Sequence, residues 1–209
     1  MHERWSLYSG DVQSSFKWQS SWLHAVAGVL ARHDKLGNIG DPPLQSGWET
    51  GTYKLFDAKC DQVKIDVNAS EILSEADTIV DTNPWLEGLE TAALKLEPGF
   101  MGLDGDKITW GNAVSAFKML TGKSATYETI KDKDHLFKLL YKARTDNIPM
   151  VFGSGSQGKV ESHIIGWSWY QITSSSGYET KIWDTQDNAE YQQTLDEMAE
   201  YVQKVVYQE

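Results

Sequence analysis

The stretch Ser20–Leu30, with the sequence SSWLHAVAGVL, decides the fold because it places serine directly before a run of small and apolar residues. Such a run predicts a helix that begins at Ser21, is buried on nearly all sides, and ends near Arg32, His33 and Gly37. A side chain in the first helical turn lies beside unpaired backbone N–H groups, which stabilise a thiolate far more than a hydroxyl. Taken alone, Ser21 is therefore interpreted as a helix N-cap.

Composition excludes several classes of function. The chain has 209 residues, 40% of them hydrophobic and 23% charged, which is typical of a globular protein. Its net charge of -11 disfavours nucleic acid and anionic membranes as partners, because no cluster of basic residues offsets the repulsion. Cys60 is the single cysteine, so an internal disulfide or a two-cysteine metal motif is excluded. We expect a reducing compartment, or export that does not depend on disulfides. No apolar run approaches the ~18 residues of a membrane span.

The spacing of apolar residues predicts helices early in the chain and paired strands later. Besides the first helix, helices are predicted at residues 85–96, 110–120 and 135–144. Strands are predicted at residues 53–56, 63–67, 149–152, 163–170 and 180–184. We expect an α+β fold with a helical N-terminal lobe, residues 1–124, and an antiparallel β lobe, residues 125–209.

Three residue groups that could carry chemistry have simpler interpretations. Cys60 falls at the exposed tip of a predicted hairpin, and His135 lies at the polar start of a helix, where we expect it to be solvated. The stretch Asp104-Gly105-Asp106 lacks the closing glutamate of a calcium loop, so a tight acidic turn is predicted there.

His163 and Asp184 form the pair with the clearest chemical use. His163 begins a predicted strand after a Gly/Ser-rich loop, and Asp184 ends the next strand, so the two can lie side by side. A histidine oriented by a carboxylate can activate a nucleophile, although each residue also makes sense as a strand-edge or turn residue. With Ser21 they follow the order nucleophile, base, orienting residue of papain-like cysteine proteases. Gln13, eight residues before Ser21, is a candidate oxyanion donor.

The chain resembles the protease core of the calpain family over nearly its whole length, with the motifs in the family's order. Residues 13–25 correspond to the opening Q-G-x-x-G-D-C-W-x-x-A, and residues 51–68 to a hairpin whose second strand runs V-x-V-D. The remaining matches are residues 85–105 and 117–122, Ser162-His163 at the G-H-A-Y motif, residues 181–184 at I-R-N-P-W, and residues 193–202 at a late helix.

This resemblance implies a papain-like fold of two lobes and a role for each matching residue. Ser21 takes the place of the catalytic cysteine, His163 that of the general base, and Asp184 that of the orienting asparagine. Gln13 takes the place of the oxyanion donor, but the segment up to Ser21 is two residues longer than the family's, so Gln19 competes for that role.

Two further departures concern the orienting residue. Aspartate at position 184 still accepts the imidazole N–H and stabilises an imidazolium more strongly than asparagine would. Gln186 stands where the family has a tryptophan, so the pair would need shielding from Trp183 or Trp167. Calpain cores also bind calcium in acidic loops, and no segment here reproduces those loops. No cofactor is therefore required by the prediction, and calcium stays open.

The resemblance implies a calpain-like cysteine endopeptidase that is inactive as written, because serine is a poor substitute for the thiolate. A natural pseudoprotease that binds an extended peptide or protein is the alternative, and another acyl transfer on the same scaffold is a third. The expected partner is a protein or peptide, and the oligomeric state is not predicted. We expect a cytoplasmic protein or an effector or toxin domain delivered to a host cytosol.

Overall fold

A computed structural model describes residues 21–37, 39–41, 50–73, 84–96, 100, 103–104, 107–108, 112–155, 164–184 and 189–209. These residues form six helices: α1 (Ser21–Arg32), α2 (Ala69–Leu73), α3 (Pro84–Lys95), α4 (Ala113–Thr121), α5 (Lys133–Thr145) and α6 (Leu195–Tyr201). The prediction for α1 is confirmed at both ends, and those for α3 and α5 hold within two residues. The predicted start of α4 at Trp110 lies outside the described residues.

Side-chain caps fix the starts of the later helices. The Asn112 side chain accepts the backbone N–H of Ser115 at the start of α4. At the start of α6, Thr194 and Glu197 form a reciprocal capping box. These caps satisfy N–H groups that the first turn of a helix leaves without a carbonyl partner.

The described residues also form eleven strands: β1 (Gly40–Asp41), β2 (Thr50–Phe56), β3 (Gln62–Asn68), β4 (Leu103–Asp104), β5 (Lys107–Ile108), β6 (Thr126–Thr129), β7 (Met150–Ser154), β8 (Trp169–Ser175), β9 (Glu179–Asp184), β10 (Ala189–Thr194) and β11 (Val202–Tyr207). They build a three-stranded sheet β1-β2-β3, a two-stranded sheet β4-β5, and a six-stranded sheet in the order β10-β9-β8-β7-β11-β6. Every pairing is antiparallel. The α+β expectation is thus confirmed as a mixed structure of helices and antiparallel sheets.

The predicted hairpins are largely confirmed. Strands β2 and β3 pair along their full length, and Cys60 lies exposed at their tip with φ of 69°. Strands β8 and β9 pair around a turn at residues 176–178, as the Ser/Gly pattern predicts. Strands β4 and β5 pair through Asp104 and Lys107, and residues 105 and 106 of the predicted acidic turn lie outside the described residues.

The prediction of one continuous strand over residues 163–170 is wrong, because β8 begins only at Trp169. The Ser154 hydroxyl donates to the Ile165 carbonyl at 2.6 Å and accepts the Ser168 N–H at 2.9 Å. These bonds close residues 165–168 into a turn, in which Trp167 has φ of 61°. Ile164 makes a single bridge contact before that turn, and His163 lies outside the described residues.

Sequence reasoning missed β6, β10 and β11. Strand β11 is central, since it pairs with β7 on one side and β6 on the other. It follows α6 directly, with no turn residues between them. Turn residues are the usual signal that one element ends and another begins, so their absence concealed the strand.

The six-stranded sheet separates two hydrophobic clusters. Val151, Trp169 and Val206 join a first cluster built around α1, whereas their neighbours Phe152, Tyr170 and Val205 join a second one with α5 and α6. Successive residues of a strand point to opposite faces, so α1 covers one face and α5 and α6 cover the other. The division into lobes at residues 1–124 and 125–209 stays a prediction.

Gly88 generates a prediction about the packing of α3 on β2. A Cβ atom at position 88 would lie only 2.7 Å from Cζ of Tyr53, a ring that is fully buried and whose hydroxyl donates to the Trp85 carbonyl at 3.0 Å. We expect Gly88→Ala to lower the free energy of unfolding by about 1–3 kcal/mol, although alanine is the better helix former. Chemical denaturation monitored by circular dichroism measures the change.

A Tyr53→Phe background provides the control, because it removes the hydroxyl that a new Cβ meets first. The cost of Gly88→Ala should be smaller in that background. An equal cost in both backgrounds would contradict the proposed clash.

Candidate functional site

Ser21 joins the start of α1 to the six-stranded sheet. It is the first residue of the helix, and its side chain is buried, with 3% of the residue exposed. Its Oγ accepts the backbone N–H of Trp169, the first residue of β8, at 3.3 Å. The hydroxyl therefore lies between the N-terminus of a buried helix and the beginning of a strand.

This position would favour an anion more than a hydroxyl. A thiolate at residue 21 would face the positive end of the α1 dipole and the Trp169 N–H, both of which stabilise negative charge. A serine hydroxyl keeps its proton at neutral pH, so the same groups contribute only an ordinary hydrogen bond. Burial of the residue acts in the opposite direction, because it disfavours a charged side chain.

Asp184 lies at the same end of the β8–β9 ladder. It is the last residue of β9, and 1% of it is exposed. Gln171 of β8 pairs with Trp183 of β9, so Asp184 lies beside the first residues of β8, close to the backbone that binds Ser21. Two of the residues predicted for the site therefore lie near the same end of strands β8 and β9.

The two residues belong to different faces of that sheet. Ile182 packs in the second hydrophobic cluster, and Asp184, two residues later, points to the same side by strand alternation. Gln171 and Trp183 face α1 instead: Arg32 Nε donates to Gln171 Oε1 at 3.3 Å, and its guanidinium lies 5.1 Å from the centre of the Trp183 ring. A histidine that contacts both Ser21 and Asp184 would have to lie across the ends of strands β8 and β9.

The other predicted residues of the site lie outside the described part of the chain: Gln13, Gln19, His163 and Gln186. Their roles as oxyanion donor, general base and replaced tryptophan stay predictions. Of the two tryptophans considered as shields, Trp183 packs under Arg32, and Trp167 is 56% exposed.

A buried ionisable pair that sequence reasoning missed lies one turn from Ser21. His24 Nε2 of α1 is 2.8 Å from Glu90 Oε1 of α3, and both side chains are less than 9% exposed. The signal in the sequence was a histidine and a glutamate, each inside an otherwise apolar helical stretch, and polar groups in such places require partners.

The expectation that His135 is solvated is wrong. Its Nε2 lies 3.0 Å from Glu128 Oε2 of β6, and the ring is mostly buried. The Tyr207 hydroxyl also donates to Glu128, at 2.7 Å. This hydrogen bond holds the pKa of the Glu128 carboxyl below its usual value, with a smaller opposing effect from burial and further lowering by His135. These contacts fasten α5 to the edge strand β6 and its neighbour β11, far from Ser21 in sequence.

Within the described ranges, no group of three or more His, Cys, Asp or Glu side chains could hold a metal ion. No helix in the same part of the chain is long and apolar enough to cross a membrane.

Comparison of the sequence with protein-family models finds no match, and comparison with curated proteins finds none either.

The His24–Glu90 pair generates a stability prediction. Because both groups are buried, removing one partner takes away a polar neighbour that the other has inside the protein. We expect Glu90→Ala to lower the free energy of unfolding by about 1–3 kcal/mol, measured by denaturant titration. Replacing both residues by leucine should cost less than the sum of the two single replacements, since no uncompensated group then remains.

The exposed pair Lys133–Asp196 is the matched control. Asp196→Asn should change stability by less than about 1 kcal/mol, because water screens exposed ion pairs. Equal costs for Glu90→Ala and Asp196→Asn would rule out a structural role for the buried pair.

Proposed function

We propose that the chain is a calpain-like cysteine peptidase core of the papain type, with Ser21 at the position of the nucleophile. One observation carries the proposal: the Ser21 hydroxyl, at the N-terminus of a buried helix, accepts the Trp169 N–H beside the strand end that bears Asp184. The order of the sequence motifs supports the same assignment.

In the proposed reaction, the cysteine form attacks a peptide carbonyl with its thiolate. Gln13 donates to the oxyanion of the tetrahedral intermediate, and His163 gives a proton to the leaving amine. His163 then takes a proton from water, which attacks the thioester and releases the acyl product. Asp184 orients the imidazole and stabilises its charged form.

Serine at position 21 makes this chain inactive in the proposed scheme. The hydroxyl does not ionise near neutral pH, and it is buried and already accepts a hydrogen bond from Trp169. The same burial favours the second candidate, a pseudoprotease that binds an extended peptide without cutting it. Deamidation or amide crosslinking on this scaffold is a third activity, and product mass spectrometry distinguishes it from hydrolysis.

Ser21→Cys tests the proposal directly. In a Cys60→Ser background, so that the introduced thiol is the only one, we expect peptide hydrolysis to rise by about two orders of magnitude or more over the serine parent. Cleavage of a denatured protein substrate, followed by mass spectrometry with and without calcium, provides the measurement. No cleavage in either condition, together with no labelling by a thiol-directed epoxide, would contradict the proposed peptidase.

Variants of the partner residues provide the controls in the same Ser21→Cys background. His163→Ala should abolish hydrolysis, because no base remains. Asp184→Asn should retain activity, since the amide oxygen still accepts the imidazole N–H, whereas Asp184→Ala should lose it. If both changes at position 184 leave the rate unaltered, Asp184 is not the orienting residue.

The introduced thiol should also have a lowered pKa. The N-terminus of α1 and the Trp169 N–H both stabilise its thiolate, so the pKa should fall below the ~8.5 of a free cysteine. The ultraviolet absorbance of the thiolate, followed against pH in the Ser21→Cys, Cys60→Ser protein, measures it. Glutathione titrated in parallel is the reference, and an equal or higher pKa at position 21 would contradict the assignment of this position to a nucleophile.

Loss of a bound peptide on changing residues of the site, with Ser21→Cys still inert, would favour the pseudoprotease.

A further inference from the structure

An open cleft of about 420 Å³ lies where the end of α1, strands β2 and β3, the end of α4 and the last residues after β11 meet. Its volume falls within the range of small-molecule sites, which often occur where separate parts of a fold join. Neither Ser21 nor Asp184, the two described residues of the proposed peptidase site, lines it. The cleft is therefore distinct from the described part of that site.

Three lysines line this cleft in a protein whose net charge is -11. Lys35 follows α1, Lys54 lies on β2, and Lys123 follows α4. None of the three forms an ion pair with a carboxylate in the described part of the chain. Three lysines from distant parts of the sequence thus line one space, and the structure describes no carboxylate paired with any of them.

The position of Lys54 adds to this excess of positive charge. In the β2–β3 register Lys54 lies directly opposite Lys64. Like charges at directly opposed positions destabilise an antiparallel pair. An anion in the cleft would offset that repulsion.

One acidic residue, Glu209, also lines the cleft, and its charge is already compensated. The Glu209 carboxylate forms an ion pair with Lys142 of α5 and thereby raises the pKa of that lysine, against a smaller effect of burial. Beside it, Gln208 Nε2 donates to Thr121 Oγ1 at 2.9 Å and to the Lys123 carbonyl at 3.2 Å. These bonds fix the wall that carries Lys123.

The rest of the lining mixes polar and apolar residues. Gln62 and Thr121 add polar groups. The apolar walls are the half-buried ring of Phe56 and the small exposed parts of Leu36, Ile39 and Leu120, which are only 3–5% exposed. Small-molecule sites typically combine such apolar walls with a few charged groups that fix the orientation of the ligand. Lysine ammonium groups bind phosphate and carboxylate oxygens as point charges.

We propose that this cleft binds a small ligand that carries a multiply charged anionic group, phosphate or paired carboxylates, on an apolar body. The lysines hold the anionic group, and the half-buried Phe56 ring, with the small exposed parts of Leu36, Ile39 and Leu120, contacts the apolar body. The proposal is independent of any peptidase activity, because it uses no residue of that site.

Isothermal titration calorimetry of the full chain tests the proposal with four probes: phenyl phosphate, phthalate, inorganic phosphate and uncharged benzyl alcohol. We expect phenyl phosphate or phthalate to bind more tightly than inorganic phosphate and benzyl alcohol. Only the first two carry both an anionic group for the lysines and an apolar ring for the walls. Either preference between these two supports the proposal and identifies the anionic group. Binding should weaken as salt is raised. Inorganic phosphate binding as tightly as phenyl phosphate would overturn the role of the apolar walls.

Single lysine variants locate the binding. Lys35→Gln, Lys54→Gln and Lys123→Gln should each weaken phenyl phosphate binding about fivefold, the effect of one partly exposed charge pair. Lys138→Gln on α5 makes the same charge change away from the cleft and should leave binding unaltered. Circular dichroism confirms that each variant is folded, which we expect because no described carboxylate depends on these lysines. Equal binding by Lys54→Gln and Lys138→Gln, or no binding of any probe at millimolar concentration, would overturn the proposal.

Discussion

The packing of α1 against strands β7 and β8 is the contact on which the rest of the structure depends. Gly28 permits it, since a Cβ at that position would lie 2.6 Å from Oε1 of Gln171 on β8. The helix is buried along nearly its whole length, so it must satisfy its polar groups within the protein. The Ser21 hydroxyl accepts the Trp169 N–H, and the His24 side chain lies against Glu90 of α3. One helix thereby connects the sheet to the helices and small sheets that surround it.

The six-stranded sheet positions the two described residues of the candidate site. Apolar clusters pack on both of its faces, and Ser21 and Asp184 lie near the ends of its strands β8 and β9. Ser21 lies at these strand ends on the face that α1 covers, and Asp184 lies on the other face. A triad at this place would be assembled across the end of the sheet, and its geometry would depend on the turn at residues 165–168 that Ser154 closes.

Charge is arranged differently inside the protein and on its surface. Inside the protein, the side chains of His24 and Glu90 lie 2.8 Å apart, as the burial of polar groups requires. At the cleft, Lys35, Lys54 and Lys123 have no described carboxylate paired with them, since Glu209 pairs with Lys142; water tolerates such free charges, and an anionic ligand would bind to them. Both arrangements join residues distant in sequence, and neither is part of any short motif.

The sequence by itself determined the elements whose signals are local. The apolar run after Ser21 predicted α1, the Gly/Ser pattern predicted the β8–β9 turn, and helical spacing predicted α3 and α5, since periodicity and turn chemistry act over a few residues. Only the tertiary structure decided that β11 inserts between β6 and β7, that β8 starts at Trp169, and that Asp184 faces away from α1. Those outcomes depend on hydrogen bonds and packing between residues far apart in the chain. No local pattern encodes such contacts, because their free energy appears only when the distant partners meet.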